Sequence, residues 1–180
     1  MSRSRRRRRG NSLIEFTLVG IPVIFLLISV FEVSRGMWMY HTLASAIREG
    51  TRYAIAHGNS CNIYPNRCAS RIRDIAARIR DRAVGIPPAQ MRNVRFISAT
   101  RTISCETLAS CLDGTVSGAV YWPAGAPGST IDMGGNRRVA IEITAEYRFQ
   151  SMIAMFWPGS RGINFGSFLL PASSRELIQY

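Results

Sequence analysis

The chain has 180 residues and a formal net charge of +12, and all of its 23 basic residues are arginine. A chain of this length predicts one domain with a modest core rather than a multidomain protein. Nucleic-acid binding is not expected in spite of the charge, because no basic stripe with interleaved aromatic side chains follows the N-terminus.

The N-terminus joins a basic run to an apolar segment. Six arginines lie in residues 1–10 and carry half of the net charge; they are Arg3, Arg5, Arg6, Arg7, Arg8 and Arg9. Beside an apolar helix, such a run indicates a cytoplasmic anchor, because arginine flanking a membrane span stays on the inner side. We therefore predict that Arg5 to Arg9 hold the N-terminus in the cytoplasm and that the rest of the chain crosses the membrane.

The apolar segment has the length of a membrane span. Residues 13–31 are apolar apart from Glu15 and two weakly polar residues, and about 20 such residues cross roughly 30 Å of hydrocarbon as a helix. This predicts a transmembrane helix over residues 11–34. Pro22 removes one backbone hydrogen bond inside it and is either a harmless kink or a hinge. Secretory cleavage is disfavoured, because the small-residue site at 44–46 lies too far beyond the apolar run.

The apolar pattern continues beyond the predicted span. Apolar residues recur at spacings of three and four as far as Ala54, which predicts one helix over residues 12–56 with an extracytoplasmic stalk over 35–57. Trp38 and Tyr40 suit the outer membrane interface, where amphipathic rings settle. Two pairs of opposite charge three residues apart can interact on its polar side: Glu32 with Arg35, and Glu49 with Arg52.

Two strings in this helix resemble a known family. The first is Gly10-Asn11-Ser12-Leu13-Ile14-Glu15-Phe16, in which a glutamate is the fifth residue after a glycine. The second contains Arg48, Glu49, Gly50, Arg52 and Tyr53, followed by an alanine. Together they resemble the TadE-like pseudopilins of tight-adherence (Tad/Flp) secretion systems over about the first third of the chain.

The resemblance implies a processing event and a set of partners. A prepilin peptidase would cut between Gly10 and Asn11 and remove the basic leader, residues 1–10. The mature protein would be a non-enzymatic minor pilin or pseudopilin without a cofactor, held in the bacterial inner membrane with its C-terminal domain in the periplasm. It would act with other Tad pilus subunits and the assembly platform in pilus assembly, adherence or secretion.

Glu15 needs a compensating contact if it enters the bilayer, because a charged side chain in hydrocarbon loses several kcal/mol of hydration. One interpretation is that Glu15 pairs with the Asn11 amine of a neighbouring subunit after cleavage. The other is that it reaches the headgroups or pairs with its own terminus. The residues alone leave both open.

Residues 58–180 predict a periplasmic α+β domain. A helix over 69–84, with Asp74 and Arg78 at a favourable spacing, ends at Gly85. Strand character is found over 94–103, 118–122, 138–149 and 163–174, the last an edge strand interrupted by Pro171, with a loop over 123–136 and an apolar turn over 151–157. The predicted fold is pilin-like: a long membrane-spanning helix continuing into a stalk, a second helix and a small antiparallel sheet.

The cysteines indicate an oxidising compartment. All four follow the apolar helix, at Cys61, Cys68, Cys105 and Cys111, so an internal N-terminus places them outside the cytoplasm, where disulfides form. Three connectivities are possible; local pairing of 61 with 68 and of 105 with 111 is favoured because each pair brackets a loop. No metal site is expected, since the spacings differ from zinc pairs and His41 and His57 are poorly placed to complete one.

Catalysis is not expected either. No nucleophile, phosphate-binding or metalloprotease motif occurs. Glu142 and Glu146 share a strand face, but they would lie roughly 13 Å apart, too far for a carboxylate pair. The rival to a pseudopilin is an uncleaved, single-span anchored periplasmic module whose arginine-rich surface binds an acidic polymer.

Overall fold

The computed structural model of the protein describes residues 8–56, 70–98, 102–113, 118–120, 122, 140–152 and 167–177. The elements follow the chain as α1 (Arg8–Ala56), α2 (Ile72–Arg82), a 3-10 turn (Pro88–Gln90), β1 (Met91–Ile97), β2 (Thr102–Thr107), α3 (Leu108–Leu112), β3 (Ala140–Gln150) and β4 (Ser167–Leu177). The α+β class is as the sequence predicts. α1 begins at Arg8, four residues before the predicted start at Ser12.

The four strands form one antiparallel sheet in the order β2-β1-β3-β4. Every second side chain of β3 is buried, namely Ile141, Ile143, Ala145, Tyr147 and Phe149, so the alternation read from the sequence is confirmed. β4 pairs along the whole length of β3, from Ala140 opposite Leu177 to Gln150 opposite Ser167. Pro171 lies in this edge strand, a position that tolerates a residue without a backbone N–H.

The prediction of one strand over 94–103 is wrong. β1 and β2 are separate strands that pair with each other, with Phe96 opposite Ile103. The connection after Ser98 contains no glycine, proline or asparagine, so the usual turn signals were missing. The register of β1 against β3 is irregular between Arg92 and Arg95, where Asn93 has a positive φ of 51°.

The strand predicted over 118–122 is also wrong for its described residues, which cap α2 instead. The first N–H groups of a helix have no partner within the helix. Here the Ile72 N–H donates to the Val120 carbonyl at 3.0 Å and the Arg73 N–H donates to the Gly118 carbonyl at 3.2 Å, while the Trp122 N–H donates to the Ser70 carbonyl at 2.8 Å. The described backbone of this segment therefore pairs with the N-terminal end of α2 rather than with a strand.

α2 is shorter than the predicted 69–84. The Asp74 carboxylate accepts a hydrogen bond from the Arg71 N–H at 2.8 Å, which fixes the helix start. At the other end, Gly85 takes a positive φ of 81°, which glycine adopts without steric cost. Asp74 is therefore a capping residue, and the predicted pairing of Asp74 with Arg78 is replaced by a contact between Arg78 and Tyr53.

The chain divides into two compact units, one of Met1–Met37 with Ser151–Gly166 and one of Trp38–Gln150 with Ser167–Tyr180. In the second unit, buried residues of α1 (Leu43, Ala46, Ile47 and Ala54) join the apolar face of α2 and the buried face of the sheet in one core. Trp122 closes this core with its ring edge-to-face against Phe96, at 6.2 Å between centroids. The predicted loop around Cys61 and Cys68, the 123–136 loop and most of the 151–157 turn lie outside the described residues.

Candidate functional site

The N-terminal half of α1 has the surface of a membrane span. Among the described residues, this is the one helix long and apolar enough to cross a bilayer. From Leu13 to Phe31 every residue is exposed except Gly20 and Ile28, which are half-buried. An exposed surface of this length with so few polar side chains is disfavoured in water, because burial of apolar area is the main stabilising term in folding. One apolar helix of this kind fits a single-pass membrane anchor.

Three hydroxyl groups within this span are satisfied locally by the helix backbone. The hydroxyls of Thr17, Ser29 and Ser34 donate to carbonyls one turn earlier, at 3.0, 2.8 and 2.9 Å. Glu15 is the only charged residue between Leu13 and Phe31, and its side chain is exposed on the helix surface. The span thus presents one carboxylate among apolar side chains.

Gly10 and Asn11, the residues of the predicted cleavage site, lie at the beginning of α1. The helix starts at Arg8, so the bond between them falls in the first turn, whose N–H groups have no partner within the helix. Of the anchor arginines, Arg8 and Arg9 belong to this turn, while Arg5, Arg6 and Arg7 lie outside the described residues. Pro22 stands inside the helix without breaking it.

Glu32 forms a buried contact that the sequence only half predicts. The predicted ion pair with Arg35 is confirmed, at 3.5 Å between Oε2 and a guanidinium nitrogen. The same oxygen also accepts a hydrogen bond from the Met152 N–H at 3.3 Å. Glu32 is 7% exposed, and among the described residues its Oε1 has no hydrogen-bond partner. The carboxylate therefore joins α1 to the backbone at Met152 within the first compact unit.

We predict that Glu32→Leu will speed amide exchange at Met152. Loss of a hydrogen bond to a charged acceptor costs about 2 kcal/mol, which corresponds to about 30-fold faster local opening. Hydrogen exchange read by NMR in micelles measures this rate. Glu32→Gln is the matched control, because its amide oxygen still accepts from the Met152 N–H, and a smaller acceleration is expected. Equal rates in the Leu variant and the unaltered chain would show that this contact contributes nothing.

Gly50 and Tyr53, two residues of the second family-like string, contact α2. A Cβ added to Gly50 would overlap Ile79 Cγ1 of α2 and would lie 2.9 Å from Ile79 Cδ1. One turn later, the guanidinium carbon of Arg78 lies 5.0 Å from the centroid of the Tyr53 ring, a cation–π distance. We name these four residues, Gly50, Tyr53, Arg78 and Ile79, the α1–α2 clasp.

The charged residues of the string take no part in the clasp. Arg48 and Arg52 are exposed and Glu49 is half-buried. No ion pair joins Glu49 to Arg52 in the part of the chain that the structure describes, so the second of the two predicted pairs is wrong. An exposed pair of this kind contributes little, because both side chains lose rotamer freedom to form it.

Comparison with known protein families gives a match within the N-terminal helix. Residues 10–52 match the sequence model of the family described as TadE-like protein. This region of the chain is TadE-like. The match begins at Gly10, includes Glu15 and the whole apolar span, and ends at Arg52. Neither the curated proteins nor the solved structures contain a match to the chain.

The TadE-like family is associated with Tad pilus components, and its proteins are generally structural rather than enzymatic. The clasp contains residues on both sides of the end of the family match. Gly50 falls inside the TadE-like region, whereas its contact Ile79 falls beyond it. The clasp therefore joins the TadE-like helix to the part of the chain that the family model does not cover.

Outside the TadE-like region, one covalent link is described. Cys105 at the end of β2 and Cys111 in α3 form a disulfide with a Cα–Cα distance of 5.8 Å. Both cysteines are buried. Thr107 is the N-cap of α3, and its hydroxyl accepts from the Ser110 N–H at 3.3 Å. This five-residue helix was not predicted from the sequence, although a threonine followed by a serine three residues later is a capping pattern.

The described residues hold no group of three or more His, Cys, Asp or Glu side chains able to bind a metal ion. His41 is exposed and stacks edge-on with Tyr40, and His57 lies outside the described residues. Glu146 accepts a hydrogen bond from Asn93 at 2.7 Å. It lines a surface pocket on the open face of the sheet with Arg92, Glu106 and Arg148, an arrangement of opposite charges that the sequence analysis missed.

Proposed function

We propose that the protein is a TadE-like minor pilin or pseudopilin. It inserts with its N-terminus in the cytoplasm, is cut after Gly10 by a prepilin peptidase, and then joins other subunits of a Tad-type pilus or its assembly platform. The observation that carries the proposal is the extent of the family match, which begins at Gly10 and contains Glu15 and the apolar span. A minor role is favoured, because 124 residues follow the end of α1, far more than a bare helical subunit requires.

The position of the scissile bond supports processing. A peptidase has to draw its substrate into an extended form, and residues in the first helical turn unwind at small cost because few hydrogen bonds are lost. Gly10 adds no side chain at the bond, so the cleft of a membrane aspartic peptidase can approach the backbone closely. Removal of residues 1–10 would also remove half of the net charge and leave a new amine on Asn11.

The new amine would be a counter-charge for the Glu15 carboxylate of a neighbouring subunit. Asn11 and Glu15 are four residues apart, about one turn of helix, so a neighbouring subunit displaced along the axis brings its Asn11 amine level with Glu15. Two unit charges about 4 Å apart attract by about 4 kcal/mol at an effective dielectric constant near 20. Desolvation of both groups offsets much of that gain. The contact therefore sets the axial register of subunits more than it adds stability.

The proposal is tested by the N-terminus of the mature protein. Intact mass and N-terminal sequencing of membrane-extracted protein, from cells with an active prepilin peptidase, should give a chain that starts at Asn11. Gly10→Leu should leave the leader attached, since a side chain at the bond obstructs the cleft. Gly20→Leu is the control and should be cut normally. A chain that keeps residue 1 or 2 in such cells would instead support the uncleaved, anchored binding module.

A further inference from the structure

Two exposed apolar side chains of the second compact unit, Trp38 and Val84, lie near each other. Val84 is 66% exposed and Trp38 is 53% exposed. The Trp38 ring packs against the backbone at Gly85, the residue after Val84: a Cβ added to Gly85 would lie 3.3 Å from Trp38 Cη2. We name Trp38, Val84 and Gly85 the interfacial patch.

The turn that contains Val84 is fixed by buried neighbours and by backbone hydrogen bonds. Its neighbours Ala83 and Ile86 are only 3% and 4% exposed. The Val84 N–H donates to the Arg82 carbonyl at 2.9 Å and the Ile86 N–H donates to the Ala83 carbonyl at 3.0 Å. Gly85 permits the reversal with its positive φ. Val84 is thus directed outwards by a turn whose other apolar side chains are anchored in the core.

The patch lies close in sequence to the end of the membrane span. Trp38 follows Arg35 by three residues of the same helix, about 4.5 Å along its axis. That distance is shorter than an arginine or tryptophan side chain, which places Trp38 within reach of the headgroup layer that borders the span. Tryptophan is enriched in this layer, where its ring is buried and its N–H stays hydrated.

We propose that the interfacial patch rests in the outer headgroup layer of the bilayer that α1 spans, with Val84 as a second apolar contact beside Trp38; this rests on the membrane insertion proposed above. Exposed Arg82 lies two residues from Val84 and supplies a cation for phospholipid phosphate. A protein partner is a poorer fit, because a stable protein interface buries about 800 Å² on each side and the patch consists of two side chains. Position 84 is therefore a membrane contact in addition to the apolar span.

The depth of position 84 tests this inference in the full chain. A keto-bearing amino acid at position 84, modified with a nitroxide, leaves the cysteines untouched. The protein is reconstituted in vesicles of phosphatidylcholine with phosphatidylglycerol, and the collision rates of the nitroxide with oxygen and with a water-soluble nickel complex are measured. The matched control carries the same label at Arg95, which is exposed on the open face of the sheet. Near-ultraviolet circular dichroism verifies that both labelled chains are folded.

We expect the ratio of oxygen to nickel collisions to be severalfold higher at position 84 than at position 95. Equal, water-like ratios at the two positions in carbonate-resistant protein would overturn the inference and leave the membrane span intact. A label at 84 shielded from both reagents would also overturn it, since that result indicates coverage by a protein subunit. Extraction of the chain by carbonate would refute the membrane span, and the lipid contact with it.

Discussion

Replacement of Gly50 by valine is expected to destabilise the second compact unit by about 3 kcal/mol, the upper range for overpacking in a close-packed core. A Cβ at this position would already overlap Ile79 Cγ1, and valine adds two further carbons. Ile79 cannot move aside easily, because it is 1% exposed and lies in the α2 face that fills the core. Urea unfolding in detergent micelles, followed by near-ultraviolet circular dichroism, measures the loss.

Gly20→Val is the matched control for this prediction. It introduces the same side chain into the same helix, but a Cβ at Gly20 would meet only Phe16 Cε1, at 3.9 Å, an ordinary contact distance. Ile79→Ala in the Gly50→Val background should recover part of the loss, because the two side chains compete for one volume and their effects do not add. If Gly50→Val unfolds at the same urea concentration as Gly20→Val, α1 and α2 do not cross closely at Gly50.

The clasp gives a physical reason for part of the second sequence string. Gly50 and Tyr53 are three residues apart on one helix face, and both contact α2. Spacing of this kind could have predicted that they face a partner helix. It could not have identified Arg78 and Ile79, because these residues lie on a separate helix and the sequence contains no signal for which faces of two helices meet. The part of the string that faces away from α2, Arg48 and Arg52, has no structural explanation in these contacts.

The fold was predictable where periodicity was uninterrupted. α1 and β3 carry long regular patterns, and both were predicted with small errors at their ends. Prediction failed where tertiary pairing replaced local signals. The β1–β2 hairpin lacks turn residues after Ser98, and the described part of 118–122 pairs with the α2 terminus although its composition suggests a strand. In both cases the partner of the backbone N–H groups, rather than the propensity of the residues, determined the structure.

In the candidate site, too, contacts between residues close in sequence were predictable and contacts between distant residues were not. Gly10, Asn11 and Glu15 could be selected from the sequence because their spacing from the apolar span is fixed by the chain itself. Glu32 was paired with Arg35 for the same reason, since they are three residues apart. Its second contact, the Met152 N–H, comes from a residue 120 positions later. A distant main-chain donor has no sequence signature, because every residue except proline carries one.

Replacement of Glu15 by leucine is expected to abolish incorporation into pili while leaving the protein in the membrane. Leucine removes the costly charge from the span, so insertion should be at least as efficient as before. It also removes the partner that we propose for the Asn11 amine of a neighbouring subunit, which would then be buried without a counter-charge at a cost of several kcal/mol. Pilus fractions sheared from cells and probed with antibody should lack the variant, whereas membrane fractions should contain it.

Thr17→Ala is the matched control, because Thr17 lies two residues away in the same span and its hydroxyl is already satisfied by the Ile14 carbonyl. It should enter pili at normal yield. Intact mass has to show that the Glu15→Leu chain still starts at Asn11, which separates a defect in assembly from a defect in cleavage. Glu15→Asp, with the charge kept on a shorter side chain, should retain partial incorporation, since a carboxylate remains to meet the amine. Normal pilus yield from a cleaved Glu15→Leu chain would show that the carboxylate plays no part in subunit pairing.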